Sequence, residues 1–352
     1  MTAPRDATAS GIVRPTSDAI EEAVARLKRG ELVGLPTETV YGLAADATDP
    51  RAVGRIFRVK GRPATNPLIV HVADVAGLRH VVAWPPSGPI RGQLDALADL
   101  WPGPLTVVCP RGPGIPDAVT AGRDTVAARI PDHPVASALL RRCPFPLAAP
   151  SANRSNYLSP TRAEHVAEDL GDAVGLILDG GPCLRGVEST IVSLASRPAR
   201  LLRPGSITIE TLRERLGDVE EPITVAERPA DGDGESTPAG GESPGMEAPG
   251  MSRKHYAPKT RLILRGPNDR ESVPQPGRYG RVTFRAIAAD EASAYAAVEV
   301  LSDHGDLEQA ARELFAALHR LDRLGLDAII ADRCPETGIG RALMDRLRRA
   351  AS

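Results

Sequence analysis

The feature that most constrains this chain is a stretch that cannot fold by itself. Between Glu227 and Pro249 the sequence PADGDGESTPAGGESPGMEAP is dense in Gly, Pro, Ser and acid. It is too poor in apolar side chains to offset the entropy of ordering its backbone. A mobile linker is predicted there, so the two flanking segments must each build a core. We divide the chain into a first domain at 12–216, a linker at 217–258 and a second domain at 259–352. Both lengths are ordinary for a domain.

On the N-terminal side, helical periods alternate with short β-branched runs, the pattern of an α/β domain. Thr16–Arg29 reads as a helix with Ser17 or Asp18 near its cap and Gly30 closing it. Further helices are predicted at 50–59, 90–100, 134–142 and 160–170. Strands are predicted at 32–35, 68–72, 105–109, 125–130, 147–149, 176–178 and 190–194. Several are apolar on both faces, which implies a central sheet covered by helices. Beyond the linker, strands at 261–264, 282–287 and 327–331 and helices at 307–324 and 341–350 predict a smaller α/β domain. It is short between Arg265 and Arg281, where a helix is expected.

Composition narrows the function classes. The net charge of −2 gives no sign of a globally basic nucleic-acid binder, though such a sum does not register a local basic groove. No run of eighteen apolar residues exists, and the opening MTAPRDATAS lacks the apolar core of a signal peptide, so a cytoplasmic protein is expected, with no membrane partner. Cys109, Cys143, Cys183 and Cys334 never form a Cys-x-x-Cys pair, which speaks against a zinc site or disulfide framework; all four are expected to be buried thiols. Only four of 43 basic residues are lysine, Lys28, Lys60, Lys254 and Lys259, so a lysine that persists against this bias is of interest.

The common nucleotide motifs are missing. There is no Gly-x-x-x-x-Gly-Lys-Ser/Thr, and Gly338-Ile-Gly340 lacks the third glycine of a dinucleotide fingerprint. Asp231-Gly-Asp233-Gly-Glu235 lacks the spacing and distal glutamate of a calcium loop. Neither His-Glu-x-x-His nor a nucleophile elbow occurs. Instead, polar clusters fall where predicted strands end, the usual place for ligands in α/β proteins. Gly34–Ala45 runs a strand into a hydroxyl-rich turn, or Thr37 simply caps a helix. Arg58-Val-Lys60-Gly-Arg62-Pro-Ala-Thr-Asn66-Pro gathers cations that could wrap a polyphosphate, or forms a solvated loop. His71 follows inside an apolar run, where a lone histidine is usually a core residue. Pro150-Ser151-Ala-Asn153, with Ser159-Pro-Thr161, offers hydroxyls and backbone N–H groups for an anion, or an N-cap at Ser159 with Pro160 at N1. The fourth cluster is Gly180-Gly181, Gly186-Val-Glu188-Ser189-Thr190 and Leu202-Arg203-Pro-Gly205. Asn153-Arg-Ser155 also matches a glycosylation sequon, which a cytoplasmic chain would not use.

In this order the clusters resemble the YrdC-like family of threonylcarbamoyl-AMP synthases. The matching elements are Pro36–Leu43, Lys60-Gly-Arg62-Pro with Asn66-Pro-Leu68, Arg129-Ile-Pro131, Pro150–Asn153 with Ser159-Pro-Thr161, Glu188–Val192 and Arg203-Pro-Gly205. Pro249-Gly-Met251, Lys254-His-Tyr256-Ala-Pro258 and the closing Gly338–Leu347 are similar to the long, two-domain form. The resemblance implies a YrdC-like twisted open mixed sheet with flanking helices and a Rossmann-like C-terminal α/β domain. It implies that Thr39, His71, Arg129, Ala149 and Ser189 hold L-threonine, with Arg129 on its carboxylate. It implies that Lys60, Arg62, Asn66, Thr125, Ser151, Asn153, Ser159 and Arg203 hold ATP, and that Tyr256 folds over the site from the linker. A long acidic insert and a duplicated Pro-Gly-Met depart from the family pattern in this linker.

In such enzymes the carbamate of threonine, formed with bicarbonate-derived carbon dioxide, attacks the α-phosphate of ATP. Both centres are anionic, so Lys60 and Arg62 are the natural catalytic cations. Mg²⁺ is expected to ride mainly on the phosphates, without a protein cage. The product would pass to a tRNA threonylcarbamoyl transferase complex, and weak RNA binding is compatible with this fold. A carbamoyl-transferring relative, a non-catalytic RNA-binding module and a regulatory ATP-binding protein are the competing readings. The first would be expected to carry paired-cysteine zinc motifs, which are missing.

Overall fold

The computed structural model describes residues 11–85, 87–221, 246–251, 254–265 and 277–352. Most of the predicted mobile segment and most of the short 265–281 stretch lie outside the described residues.

The first domain is built on an eleven-stranded mixed sheet. In spatial order its strands are Ile12–Val13, Ile177–Leu178, Val33–Leu35, Gly42–Asp46, Leu147–Ala148, Ile69–His71, Thr125–Arg129, Leu105–Pro110, Thr190–Ser193, Ala199–Arg203 and Val219–Glu220. Helices cover it, each with a local reason to start and stop. Ser17–Lys28 is capped by Thr16, which accepts from Ala19 N at 3.2 Å, and Gly30 (φ 72°) ends it. Pro50–Lys60 begins at the Asp49 cap with Pro50 in its first turn and ends at Gly61 in the left-handed conformation. Its buried stripe is Ala52, Val53, Ile56 and Lys60, a helical period that carries a lysine into the interior.

The second domain is a four-stranded, wholly parallel sheet in the order Leu262–Leu264, Ala328–Ala331, Tyr279–Thr283, Ala297–Val300. Helices Leu307–Asp322 and Gly340–Ala350 pack on it. Its core does not stop at the domain boundary. Val40, Leu158 and Val187 of the first domain and Tyr256 of the linker belong to the same apolar cluster as Leu314, Phe315 and Leu343.

Four expectations are corrected. The helix predicted at 160–170 starts at Ala163, so Ser159 is not its cap and Pro160 is not in its first turn. No helix follows Thr37, whose hydroxyl instead donates to Val40 O at 2.6 Å in a local turn. The strand expected at 282–287 lies at Tyr279–Thr283. Cys143 is only half-buried, because it ends the helix Pro134–Arg142 at the lip of an apolar cavity; the other three cysteines are buried and all four are free thiols. Among the described residues no helix is long and apolar enough to cross a membrane.

Candidate functional site

The loops at one end of the sheet enclose a cavity lined by Thr37, Thr39, Arg62, His71, Arg129, Ala149, Ser151, Glu188, Ser189, Arg203, His255 and Tyr256, among others. Strand register assembles its inner half. Ile69–His71 runs parallel to Thr125–Arg129 with His71 opposite Arg129. Val33–Leu35 and Gly42–Asp46 form an antiparallel pair whose connecting loop brings Thr39 over them. Arg129 Nη1 donates to Thr39 Oγ1 at 2.8 Å and Nε to Gly103 O at 3.2 Å. Nη2 lies 2.5 Å from Glu38 Oε1. That contact is an ion pair without hydrogen-bond alignment, so Arg129 Nη2, both Glu38 oxygens and His71 Nδ1 keep unused hydrogen-bonding capacity in a buried place. Buried polar atoms of this kind point to a ligand. Burial and the Arg129 charge push the His71 imidazole down to about 3, so it is neutral.

The outer half is cationic. A β-bulge between Leu201 and Arg203 turns the Arg203 side chain toward Ser189, donating from Nε to the Ser189 carbonyl and from Nη2 to its hydroxyl, both at 3.0 Å. Ser189 Oγ also shares a hydrogen bond with Thr106 Oγ1 at 2.8 Å. Arg62 is held by its own turn, with Nε donating to Asn66 O at 3.0 Å and Nη2 to Asn66 Oδ1 at 2.5 Å and Pro67 O at 2.6 Å. Burial lowers the Arg62 guanidinium to about 9 and also lowers Arg203, two cations that lack water and lack enough counter-charge.

Lys60 is buried but does not line the cavity. Its Nζ donates to Ser151 O at 2.6 Å and to the Asn153 carbonyl, so the ammonium braces the Ser151–Asn153 turn, whose Ser151 lines the cavity. Burial holds it well below the usual lysine range. Asn66 and Asn153 likewise stand behind the wall, Asn66 fixing Arg62 and Asn153 donating to Arg154 O and Tyr157 O. Ser159 donates its hydroxyl to Glu188. Thr125 begins the strand that ends at Arg129, about 13 Å away along an extended chain, and is not among the residues that line this cavity.

The linker closes the cavity. Tyr256 adopts a left-handed φ of 62° and is buried against His255 and Phe315. Gly250 (φ 79°) must be glycine, because a Cβ would sit 2.6 Å from Tyr256 Oη and 3.0 Å from Arg203 Cδ. Four residues carry more of the site than their sequence suggested: Glu38, Glu188, His255 and Arg346. Each lies inside a motif quoted above, but its partner is distant in sequence.

Fold and enclosure define a two-domain α/β protein built round an anion-receptive cavity. The family model described as "Telomere recombination", grouping Sua5, YciO and YrdC proteins, matches residues 25–205. A second, "Threonylcarbamoyl-AMP synthase, C-terminal domain", matches 207–352. The chain is 39% identical over 336 residues to the threonylcarbamoyl-AMP synthase of Pyrococcus abyssi, covering 94% of both chains. To the Bacillus subtilis enzyme of the same name it is 42% identical over 339 residues, covering 94% of this chain and 92% of the other. A solved structure of P. abyssi Sua5 complexed with L-threonine superposes with a TM-score of 0.81 at 37% identity, over 97% of this chain and 96% of that one. The chain therefore belongs to the threonylcarbamoyl-AMP synthase family, in its two-domain form.

Proposed function

We propose that this chain is an L-threonylcarbamoyladenylate synthase that converts L-threonine, bicarbonate and ATP to threonylcarbamoyl-AMP and pyrophosphate in the cytoplasm, for a tRNA threonylcarbamoyl transferase complex. The observation that carries the reading is the charge balance of the enclosure. Arg62, Arg129 and Arg203 face it and Lys60 stands behind it, against the carboxylates of Glu38 and Glu188. Glu188 is already neutralised by Arg346. Such a surplus of desolvated cations is costly unless anionic substrate arrives.

In this reading Arg129 pairs with the threonine carboxylate, while Thr39, Ser189, Ala149 and neutral His71 shape the pocket. Bicarbonate takes up a proton and loses water to give carbon dioxide, and the neutral threonine amine bonds to its carbon and releases a proton, leaving the carbamate. One carbamate oxygen then forms a bond to the α-phosphorus of ATP as the bond to the β-phosphate oxygen breaks and pyrophosphate leaves. Arg62 and Arg203 offset the repulsion between these anions and hold them in line. Lys60 positions Ser151 and Asn153 from behind, and Ser159 is fixed by Glu188. Mg²⁺ enters as part of the nucleotide substrate. Tyr256 excludes water from the carbamate and adenylate.

The test is pyrophosphate release from ATP, Mg²⁺ and bicarbonate with and without L-threonine, beside a Lys60→Ala variant. Threonine-dependent release lost in the variant supports the reading; release indifferent to threonine overturns it.

A further inference from the structure

The Glu188 carboxylate is held from outside its own domain. Arg346, on the final helix of the second domain, is 1% exposed. Its Nε donates to Glu188 Oε2 at 2.7 Å, its Nη2 to Pro204 O at 3.0 Å and its Nη1 to Asp345 Oδ2 at 2.7 Å. Its guanidinium plane lies over the Tyr256 ring, 4.9 Å from the centroid. The other oxygen of Glu188 accepts the Ser159 hydroxyl. Asp345, which fixes the far side of the guanidinium, is itself held by Arg349 Nε at 2.9 Å. One planar cation thus spans three walls of the cavity: the Ser159 loop through Glu188, the turn after Arg203 through Pro204, and the lid residue Tyr256.

We propose that Arg346 is a positioning residue for the nucleotide half of the site, through which the second domain sets the geometry of Ser159, Arg203 and Tyr256. The inference rests on the synthase reading given above. Domain docking does not need Arg346. Independent contacts tie the two halves: the His165 and His319 rings stack at 3.9 Å, Arg323 pairs with Glu168 at 2.5 Å, and Val40, Leu158 and Val187 pack on the second domain's core. The inner half of the cavity, where Thr39, His71 and Arg129 lie, receives no contact from Arg346. Ser189, beside Glu188, is the threonine-pocket residue this network adjoins, and Thr106 Oγ1 at 2.8 Å holds it independently of Arg346, so loss of the guanidinium is felt far more by ATP than by threonine. A lysine could keep the ion pair with Glu188, but as a point charge it cannot also serve Pro204 and Asp345 and cover Tyr256.

The experiment uses the full chain, with Arg346→Met, Arg346→Lys and Arg346→Gly. In Arg346→Met the KM for ATP is expected to rise about 10- to 100-fold, the scale of losing hydrogen bonds to a charged group, with the KM for threonine within about threefold of wild type. Arg346→Lys falls between. Millimolar guanidinium added to Arg346→Gly restores ATP affinity without changing that of the wild type. Calorimetric binding of a non-hydrolysable ATP analogue reads the same loss without turnover. A wild type that binds the analogue but shows no threonine-dependent release sinks the synthase reading alone. Equal shifts in both KM values, or unchanged analogue binding in folded Arg346→Met and Arg346→Lys, overturn the positioning role and leave Arg346 as interface glue.

Discussion

Replacing Arg129 by Gln separates two consequences that usually come together. Arg129 and Glu38 are each about 3% exposed and form a 2.5 Å ion pair. Taking away one partner strands the other charge in a buried place, which costs about 3–5 kcal/mol. For a domain of this size that is a fall in melting temperature of roughly 6–20 °C. The same change removes the donor assigned to the threonine carboxylate, worth about 1.5–3 kcal/mol, or roughly 10- to 150-fold in KM for threonine. The Glu38→Gln/Arg129→Gln double variant removes both charges, so most of the melting temperature is expected to return while the threonine KM stays high. Thermal melts and threonine-dependent pyrophosphate release measure the two effects on the same preparations. A double variant as unstable as the single, or one with near-normal threonine KM, refutes the reasoning.

Gly250→Ala places a methyl group against Tyr256 Oη and in a left-handed backbone, so the lid is expected to seat poorly; adenylate leaking to hydrolysis, read as excess AMP per product, checks it. Gly186→Ala drives a Cβ to 2.3 Å from Ala311 O on the second domain's helix, and a loss of domain docking is expected by small-angle scattering or limited proteolysis. Burial holds His165 at about 2 and lowers His319, so both are neutral in the folded protein. Below the ordinary histidine value of 6.5 the unfolded chain takes up protons that the folded one refuses. Stability therefore falls with pH from about 6.5 downward, by up to about 1.4 kcal/mol per pH unit for each histidine. His165→Phe is expected to flatten that acid slope in melts between pH 6.5 and 4; an unchanged slope contradicts it.

Strands carried by β-branched residues were legible, as at Leu105–Pro110 and Thr190–Ser193. Gly42–Asp46 was not, because GLAAD has no strand propensity; pairing on both sides, with Val33–Leu35 and Leu147–Ala148, makes it a strand. Tyr279–Thr283 was misplaced for a related reason. Gly280 and Arg281 look wrong for an interior strand, yet Gly280 accommodates Leu326 and Arg281 is matched by Asp332 and Glu291. Charge marked Lys60 in the sequence, and its place on the buried stripe of a helix, visible in the spacing from Ile56, is what carries it to the Ser151–Asn153 turn. Glu188 and Arg346 are 158 residues apart, and no local pattern links them.

The apolar cluster that Val40, Leu158, Val187 and Tyr256 share with the second domain has a thermodynamic corollary. By its sheets the chain is two domains, but a core that straddles the boundary makes each half a ligand of the other. Melting the second domain would bare apolar surface directly beside the cavity, so its loss is expected to lower the stability of the first domain as well. Ligand bound in the cavity is then expected to stabilise the helix Gly340–Ala350 as well, because Arg346 of that helix holds the cavity wall at Glu188.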